Sequence, residues 1–390
     1  MSRLSRRTLL GGGLGLAVAG GLTAAAAGTV RAVSARGGGG ALRIGYLPIT
    51  DASPLLVAHA TGLYRRHGVT VADPVRFRGW AELAQAFVVG RVDVVHLLMP
   101  FAVQLRYDLG AAVRVVAWSH TNGSALTLDP RLGGVADLAG RSIAIPYWWS
   151  VHNLLVQRML RGAGLTPVIR RRPSREHGEV RLLVMSPSDM VSALQDRVVG
   201  GFVVADPFNA MAEVKGVGRI ARFTGDVWRR HACCVVVMRQ ETIDADPARA
   251  EAFVTAVAAA QLAIRADRPG TAATLADGLL PQPRLAIARA LGYPAEPYLA
   301  RGALRHPGWD GARIDFAPFP FPSYTEQLVR AMRETVVDLD TRFLDALDPA
   351  AVHADLVDDR FARAAIDRLG GPAAFDLPAA LARAEETAQA

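Results

Sequence analysis

The stretch LRIGYLPITDASPLLVAHATGLYRRHG, residues 42–68, decides how the chain is read. LRIGYLP (42–48) is an apolar run of strand length, and SPLLVAHATGLYRRHG (53–68) has helical spacing and ends on Gly68. A strand followed at once by a helix is half of a βαβ unit, and the alternation continues downstream. VTVADPVRF (69–77) reads as a strand, GWAELAQAFVVGR (79–91) as a helix and VDVVHLLMP (92–100) as a strand stopped by Pro100. FAVQLRYDLG (101–110) is then a helix and VRVVAWSH (113–120) a fourth strand. This pattern predicts an α/β protein with a doubly wound, mainly parallel sheet.

A second cycle follows the turn-rich DPRLGGVADLAG (129–140). RSIAIP (141–146), RLLVMS (181–186) and VGGFVVADP (199–207) are its strands, with helices over 152–164 and 188–197. CVVVMRQ (234–240) is a strand leading into an alanine-rich helix that runs to residue 267. Two cycles with a return to the first imply two lobes joined by two crossings, expected near 121–137 and 234–242. The expected boundaries are 42–130 plus 240–295 for lobe 1 and 131–239 for lobe 2. A mainly helical extension, 296–390, is expected to pack on lobe 1.

A chain of 390 residues, 51% hydrophobic and 21% charged, can support two such cores. Its net charge of +8 includes Arg3, Arg6, Arg7 and Arg31 in a segment without acids, so residues beyond 35 carry 8 − 4 = +4. Lys215 is the single lysine, and the one basic cluster, RRRPSREHGEVR (170–181), reads as a solvated loop. No nucleic-acid partner is expected, and the protein is expected to be a monomer. SRRTLL (5–10) precedes a Gly/Ala-rich apolar run and the small residues VSA (33–35), the pattern of a twin-arginine export signal. A Gly linker (36–41) follows. Export to the extracytoplasmic side is expected; retention of the run as a membrane anchor is the competing reading.

The two cysteines, Cys233 and Cys234, are adjacent. Neighbours on a strand face opposite sides, so packed thiols are expected rather than a metal site, with a strained vicinal disulfide as the alternative. The nine histidines form no HExxH pair, and no nucleophile elbow, Walker loop or dinucleotide fingerprint is present. Neither catalysis nor a cofactor is expected.

Polar and aromatic residues do gather where strands end, which in open α/β sheets is where ligands bind. Thr50 and Asp51 follow the first strand, Trp80 opens the next helix, and His96 lies in the third strand. Asn122 and Ser124 follow the fourth. YWWSVHN (147–153) follows the first strand of the second cycle, offering Tyr147, Trp148, Ser150 and His152 around a helix start suited to an anion. Asp206 follows that cycle's last strand. Packing alone would explain each position singly; their shared location predicts one interlobe cleft.

The segments 44–69, 79–100, HTNG (120–123), DLAGRSIAIPYWWSVHNLL (137–155) and VVADPFN (203–209) resemble the nitrate/sulfonate/bicarbonate (NitT/TauT) substrate-binding proteins of ABC importers, most closely the nitrate- and bicarbonate-binding branch. The resemblance implies a two-lobed periplasmic-binding fold and a ligand handed to an ABC permease with its ATPase; a small anion or an anion with an organic body such as a sulfonate is expected, the aromatic residues at 147–149 favouring the larger. It implies ligand contacts at Trp80, the HTNG segment, His152 and the backbone at Ala205. The chain departs from that branch at Ser124, where a glutamine is usual, at ADPFN, where GEPWN is usual, and by lacking the branch's downstream lysine. A cofactor-biosynthesis enzyme on the same fold and a ligand sensor are the alternatives.

Overall fold

The computed structural model describes residues 40–309 and 312–388. The expected export signal and most of the linker lie outside the described residues. Two sheets organise the rest. Their strands, in chain order, are β1 (Ile44–Tyr46), β2 (Val75–Arg76), β3 (Val94–Leu98), β4 (Val113–Trp118), β5 (Thr121–Asn122), β6 (Ser124–Leu128) and β7 (Ser142–Ile145). They continue with β8 (Thr166–Val168), β9 (Glu179–Val184), β10 (Gly201–Ala205), β11 (Arg219–Phe223), β12 (Cys234–Arg239) and β13 (Ile314–Asp315).

The first sheet has the order β2-β1-β3-β12-β4 and the second β11-β6-β10-β7-β9-β8. Strands followed by crossover helices run parallel: β1 with β2 and β3, and β7 with β9 and β10. The strand that enters each sheet from the other lobe arrives without a crossover helix and runs antiparallel to its neighbours. That is β12 between β3 and β4, and β6 between β10 and β11. The two-lobed α/β architecture is therefore as expected, but each sheet is mixed.

Local chemistry explains most element boundaries. The helix expected over 53–68 is two, Ser53–Ala60 and Leu63–Arg66, because Gly62 between them is left-handed at φ 71°. Pro100 does not stop a strand; it opens the helix Met99–Tyr107, where a missing N–H costs nothing. The long helix Pro247–Ala266 starts on Asp246, whose side chain accepts from the N–H of Arg249. Its buried alanines, including Ala250, Ala256 and Ala260, bring it close to its neighbours on the first lobe. None of the described helices is long and apolar enough to cross a membrane.

Sheet membership moves the expected boundaries. β6 already belongs to the second sheet and β12 to the first, so the links between the sheets fall at 119–123 and 224–233, where crossings were expected near 121–137 and 234–242. The C-terminal part also departs from the expectation that it packs on lobe 1 alone. The helices Pro349–Leu356 and Arg360–Arg368 do so, with Asp358 N–H donating to Val115 O at 2.9 Å. The intervening segment reaches the second lobe: Gln157 Nε2 donates to Val336 O at 2.7 Å and Val336 N–H returns to Gln157 Oε1 at 3.0 Å. Residues 284–304, expected in part on lobe 1, pack on β11 and its neighbours through Tyr293 and Tyr298 against Phe223.

Candidate functional site

The 3-10 turn Thr50–Ala52 after β1 faces the end of β10 across the cleft. Thr50 donates to Asp206 O twice, from its N–H at 2.7 Å and its hydroxyl at 2.8 Å. Tyr147 closes the same cleft by stacking on Phe101 with ring centroids 4.2 Å apart. Thr50, Asp51, His96, Ser124 and His152 are all buried, so any ligand enclosed with them is small.

His96 Nε2 accepts the N–H of Leu47 at 2.8 Å, which assigns the ring proton to Nδ1. Burial pushes its pKa down to about 3, further depressed by the nearby His120, so the ring is neutral. Its Nδ1 is buried without a partner among the described residues, as is the indole Nε1 of Trp80, whose ring lies 5.4 Å from that of His96. Across the cleft, His152 Nε2 meets Ser124 Oγ at 2.9 Å, and its Nδ1 is likewise buried and unpaired. A buried polar atom without a partner is costly; these three ring nitrogens share that condition with those of Trp118, His120, Trp149 and His231, and are set apart by their position near the strand ends of the two lobes. Uncharged donors such as the Trp80 indole and the neutral His96 ring suit an oxyanion without a lysine.

Other expected residues are placed in scaffolding roles. Ser150 Oγ accepts from Asn153 N–H at 3.1 Å and donates to Tyr147 O at 2.8 Å; it caps the helix Val151–Gly162 and is saturated. Trp148 is half-buried, and its carbonyl accepts from Asn153 Nδ2 at 2.9 Å. Asn122, at φ 59°, lies against Gly225 so closely that a Cβ there would sit 2.5 Å from Asn122 Cγ. Ala205 is the last residue of β10 and pairs with Ser124.

Asp206 is buried, with Oδ1 accepting from Tyr293 Oη at 2.9 Å and Ala210 N–H at 3.2 Å. Burial raises its carboxyl to about 7, with the charge of Asp51 adding to the rise against these hydrogen bonds. Such a carboxyl costs nothing below about pH 4, where folded and unfolded chains both hold the proton, and it destabilises progressively as the pH climbs to about 7. Asp206→Asn keeps an oxygen for both donors. It is expected to match the parent's melting temperature near about pH 4 and exceed it by several degrees near about pH 8. A melting difference that stays constant with pH would contradict the raised carboxyl.

The structure adds Cys233 and Cys234, which were expected only as packed thiols, and singles out His120 within the HTNG segment. His120 Nε2 lies 2.9 Å from Asp51 Oδ2 in a fully buried contact. Burial raises the Asp51 carboxyl to about 6 despite His120, while burial of His120 is outweighed by Asp51 and Cys233, which push it up to about 10. Both are therefore charged at neutral pH. Burial also opposes ionisation of Cys233, but hydrogen bonds from Cys234, His120 and His152 hold its thiol well below the usual range. The thiols do not face apart as expected, because the chain bends at Cys233 and β12 begins only at Cys234. The signal in the sequence was position: HTNG and HACC occupy the two crossings, which meet beneath the cleft.

The chain is 25% identical to the nitrate/nitrite binding protein NrtA of Nostoc over 240 residues, 56% of this chain and 52% of that protein. The chain thus spans about half the length of that curated relative. In structure it resembles the periplasmic nitrate-binding protein NrtA of Synechocystis, with TM-score 0.73 and 20% identity over 88% of this chain and 92% of that one. It also resembles the alkanesulfonate-binding protein SsuA of Xanthomonas axonopodis bound to MOPS, with TM-score 0.57 and 20% identity over 83% and 100%. These likenesses show a periplasmic-binding fold. The NMT1-like family model matches residues 38–280, well over half of the sequence, and the chain belongs to that family.

Proposed function

We propose that this chain is the solute-binding component of an ABC importer. It acts outside the cytoplasm after twin-arginine export and captures a small oxyanion between its lobes for delivery to the permease. The observation that supports the reading is the set of buried ring nitrogens on Trp80, His96 and His152 that have no partner among the described residues, two on the first lobe and one on the second. Ligand contacts drawn from both lobes exist together only when the cleft is shut, so binding shifts the population toward the closed form. Family membership and the fold shared with nitrate- and sulfonate-binding proteins support this reading.

The structure favours a compact ligand within that class. Trp149, one of the two tryptophans of YWWSVHN, is fully buried against Phe343 of the C-terminal segment. Tyr147 is the ring of YWWSVHN that faces the other lobe. Nitrate and bicarbonate are thus favoured over a sulfonate with an organic body. Thermal shift and calorimetry with nitrate, bicarbonate and methanesulfonate test the reading. One of the first two should raise the melting temperature, and Trp80→Ala should weaken its binding at least about tenfold by removing one donor. No response to any of the three would sink the proposal.

A further inference from the structure

Beside the proposed anion site lies a second group of side chains, of which only Asp51 was singled out among the expected cleft residues. Asp51, His120, Cys233 and Cys234 each offer one ligand atom, and these atoms all lie within 4.8 Å of one another. All four residues are fully buried. They come from three separate places: the turn after β1, the end of β4 at the first crossing, and the end of the second crossing. The bend at Cys233 turns two sequence neighbours toward one point.

A tetrahedral zinc ion with nitrogen and thiolate ligands at its usual bond lengths spaces the donor atoms about 3.3–3.8 Å apart. The observed cluster meets this with small side-chain movements. Packing alone does not account for its composition. Asp51 Oδ1 is buried with no partner among the described residues, although Oδ2 faces His120. An ion pair buried beside two thiols is a poor source of stability by itself, whereas a divalent cation would engage the carboxylate, the imidazole and both sulfurs. One carboxylate, one imidazole and two thiols form a donor set for borderline and soft metals; calcium and magnesium take oxygen ligands.

We propose that Asp51, His120, Cys233 and Cys234 bind one divalent metal ion of the zinc class at the point where the two crossings meet the first lobe. The ion pins both crossings to the turn after β1. His152 Nε2 lies 3.6 Å from Cys233 Sγ, but the group whose ligand atoms all lie within 4.8 Å of one another does not include it, so His152 stands beside the metal site and touches the proposed anion site from the other side. The site goes beyond the anion reading, and its test uses metal alone with no candidate anion present.

The experiment titrates the full exported chain, reduced and freed of metal, with Co²⁺. One equivalent is expected to produce a thiolate-to-cobalt charge-transfer band and the ligand-field bands of a four-coordinate ion, and Zn²⁺ is expected to remove both by displacement. Folded chain that gives no thiolate band overturns the proposal, and this result needs no variant. Cys234→Ser and His120→Asn should each weaken binding at least about tenfold. His152→Ala should keep the band. A band that survives in the Cys233→Ser/Cys234→Ser double variant would place the metal elsewhere and overturn the assignment.

Discussion

Asp226→Ala is expected to lower stability by about 3–5 kcal/mol, a fall in melting temperature on the order of 10 °C. Arg222 on β11 and Asp226 in the second crossing form an ion pair at 2.8 Å with almost no solvent exposure. Burial pushes the Arg222 guanidinium down to about 10, against the pull of Asp226, which shows how little solvent helps to hold that charge. Asp226 also accepts the N–H groups of Arg305 at 2.9 Å and His306 at 2.6 Å. Alanine leaves a buried cation and two backbone donors without this acceptor. Asp226→Asn should lose less, and adding Arg222→Met to Asp226→Ala should recover part of the loss by removing the stranded charge. Chemical denaturation of the four proteins measures this; a loss below about 1 kcal/mol for the alanine variant would mean the pair is solvated after all.

Trp149→Ala should cost a similar amount, about 3–5 kcal/mol, and leave ligand binding largely intact. Its indole is fully buried and meets Phe343 edge-on at 6.0 Å, so truncation opens a cavity where the C-terminal segment lies against the second lobe. The indole Nε1 has no partner among the described residues, so the loss is one of packing rather than of a hydrogen bond. His152→Ala, three residues away, should do the reverse. It should abolish the anion-dependent thermal shift while changing the unliganded melting temperature far less. Calorimetry and melting curves on both variants read the contrast directly. If Trp149→Ala loses the anion while remaining stable, the assignment of roles within YWWSVHN is inverted.

Much of the fold was legible because apolar periodicity reports burial. The strand–helix alternation from Leu42 to Trp118 translates almost element by element, and Trp80, His96 and His152 are all buried, as polar and aromatic residues near strand ends. The misses have physical causes. β6 looked like a crossing because SALTL carries Ser124 and Thr127 and sits between HTNG and a turn; its antiparallel place in the second sheet is set by β10 and β11, not by its own pattern. β8 contains Pro167, which argued against a strand, yet it lies at the sheet edge where a missing N–H is tolerated. β11 alternates apolar residues with arginines, and Arg222 is buried only because Asp226 meets it.

Side-chain convergence was harder to read than backbone pattern. The rule that adjacent strand residues face apart fails at Cys233 because the strand has not yet begun there. Ser150 was correctly placed as a helix cap, but its hydroxyl is consumed by that role. The polar face of Asn153 and Gln157 gave no hint of its partner, since Val336 lies far along the chain and offers only backbone atoms.

That last contact bears on how such a protein would release its cargo. Opening by rotation about 119–123 and 224–233 must either break the Gln157–Val336 pair or carry residues 334–343 along with the second lobe. In the second case the chain must flex on both sides of that segment, so the joint has more linkages than its two crossings. Each added linkage biases the empty protein toward the shut form. A receptor that rests nearly shut gives up little of its intrinsic affinity to conformational selection, since the apparent dissociation constant is the intrinsic one divided by the competent fraction. If the protein serves an importer as proposed above, the cost falls on signalling: an empty copy would look much like a loaded one, and its partner would have to tell them apart by the cargo itself rather than by the shape of its carrier.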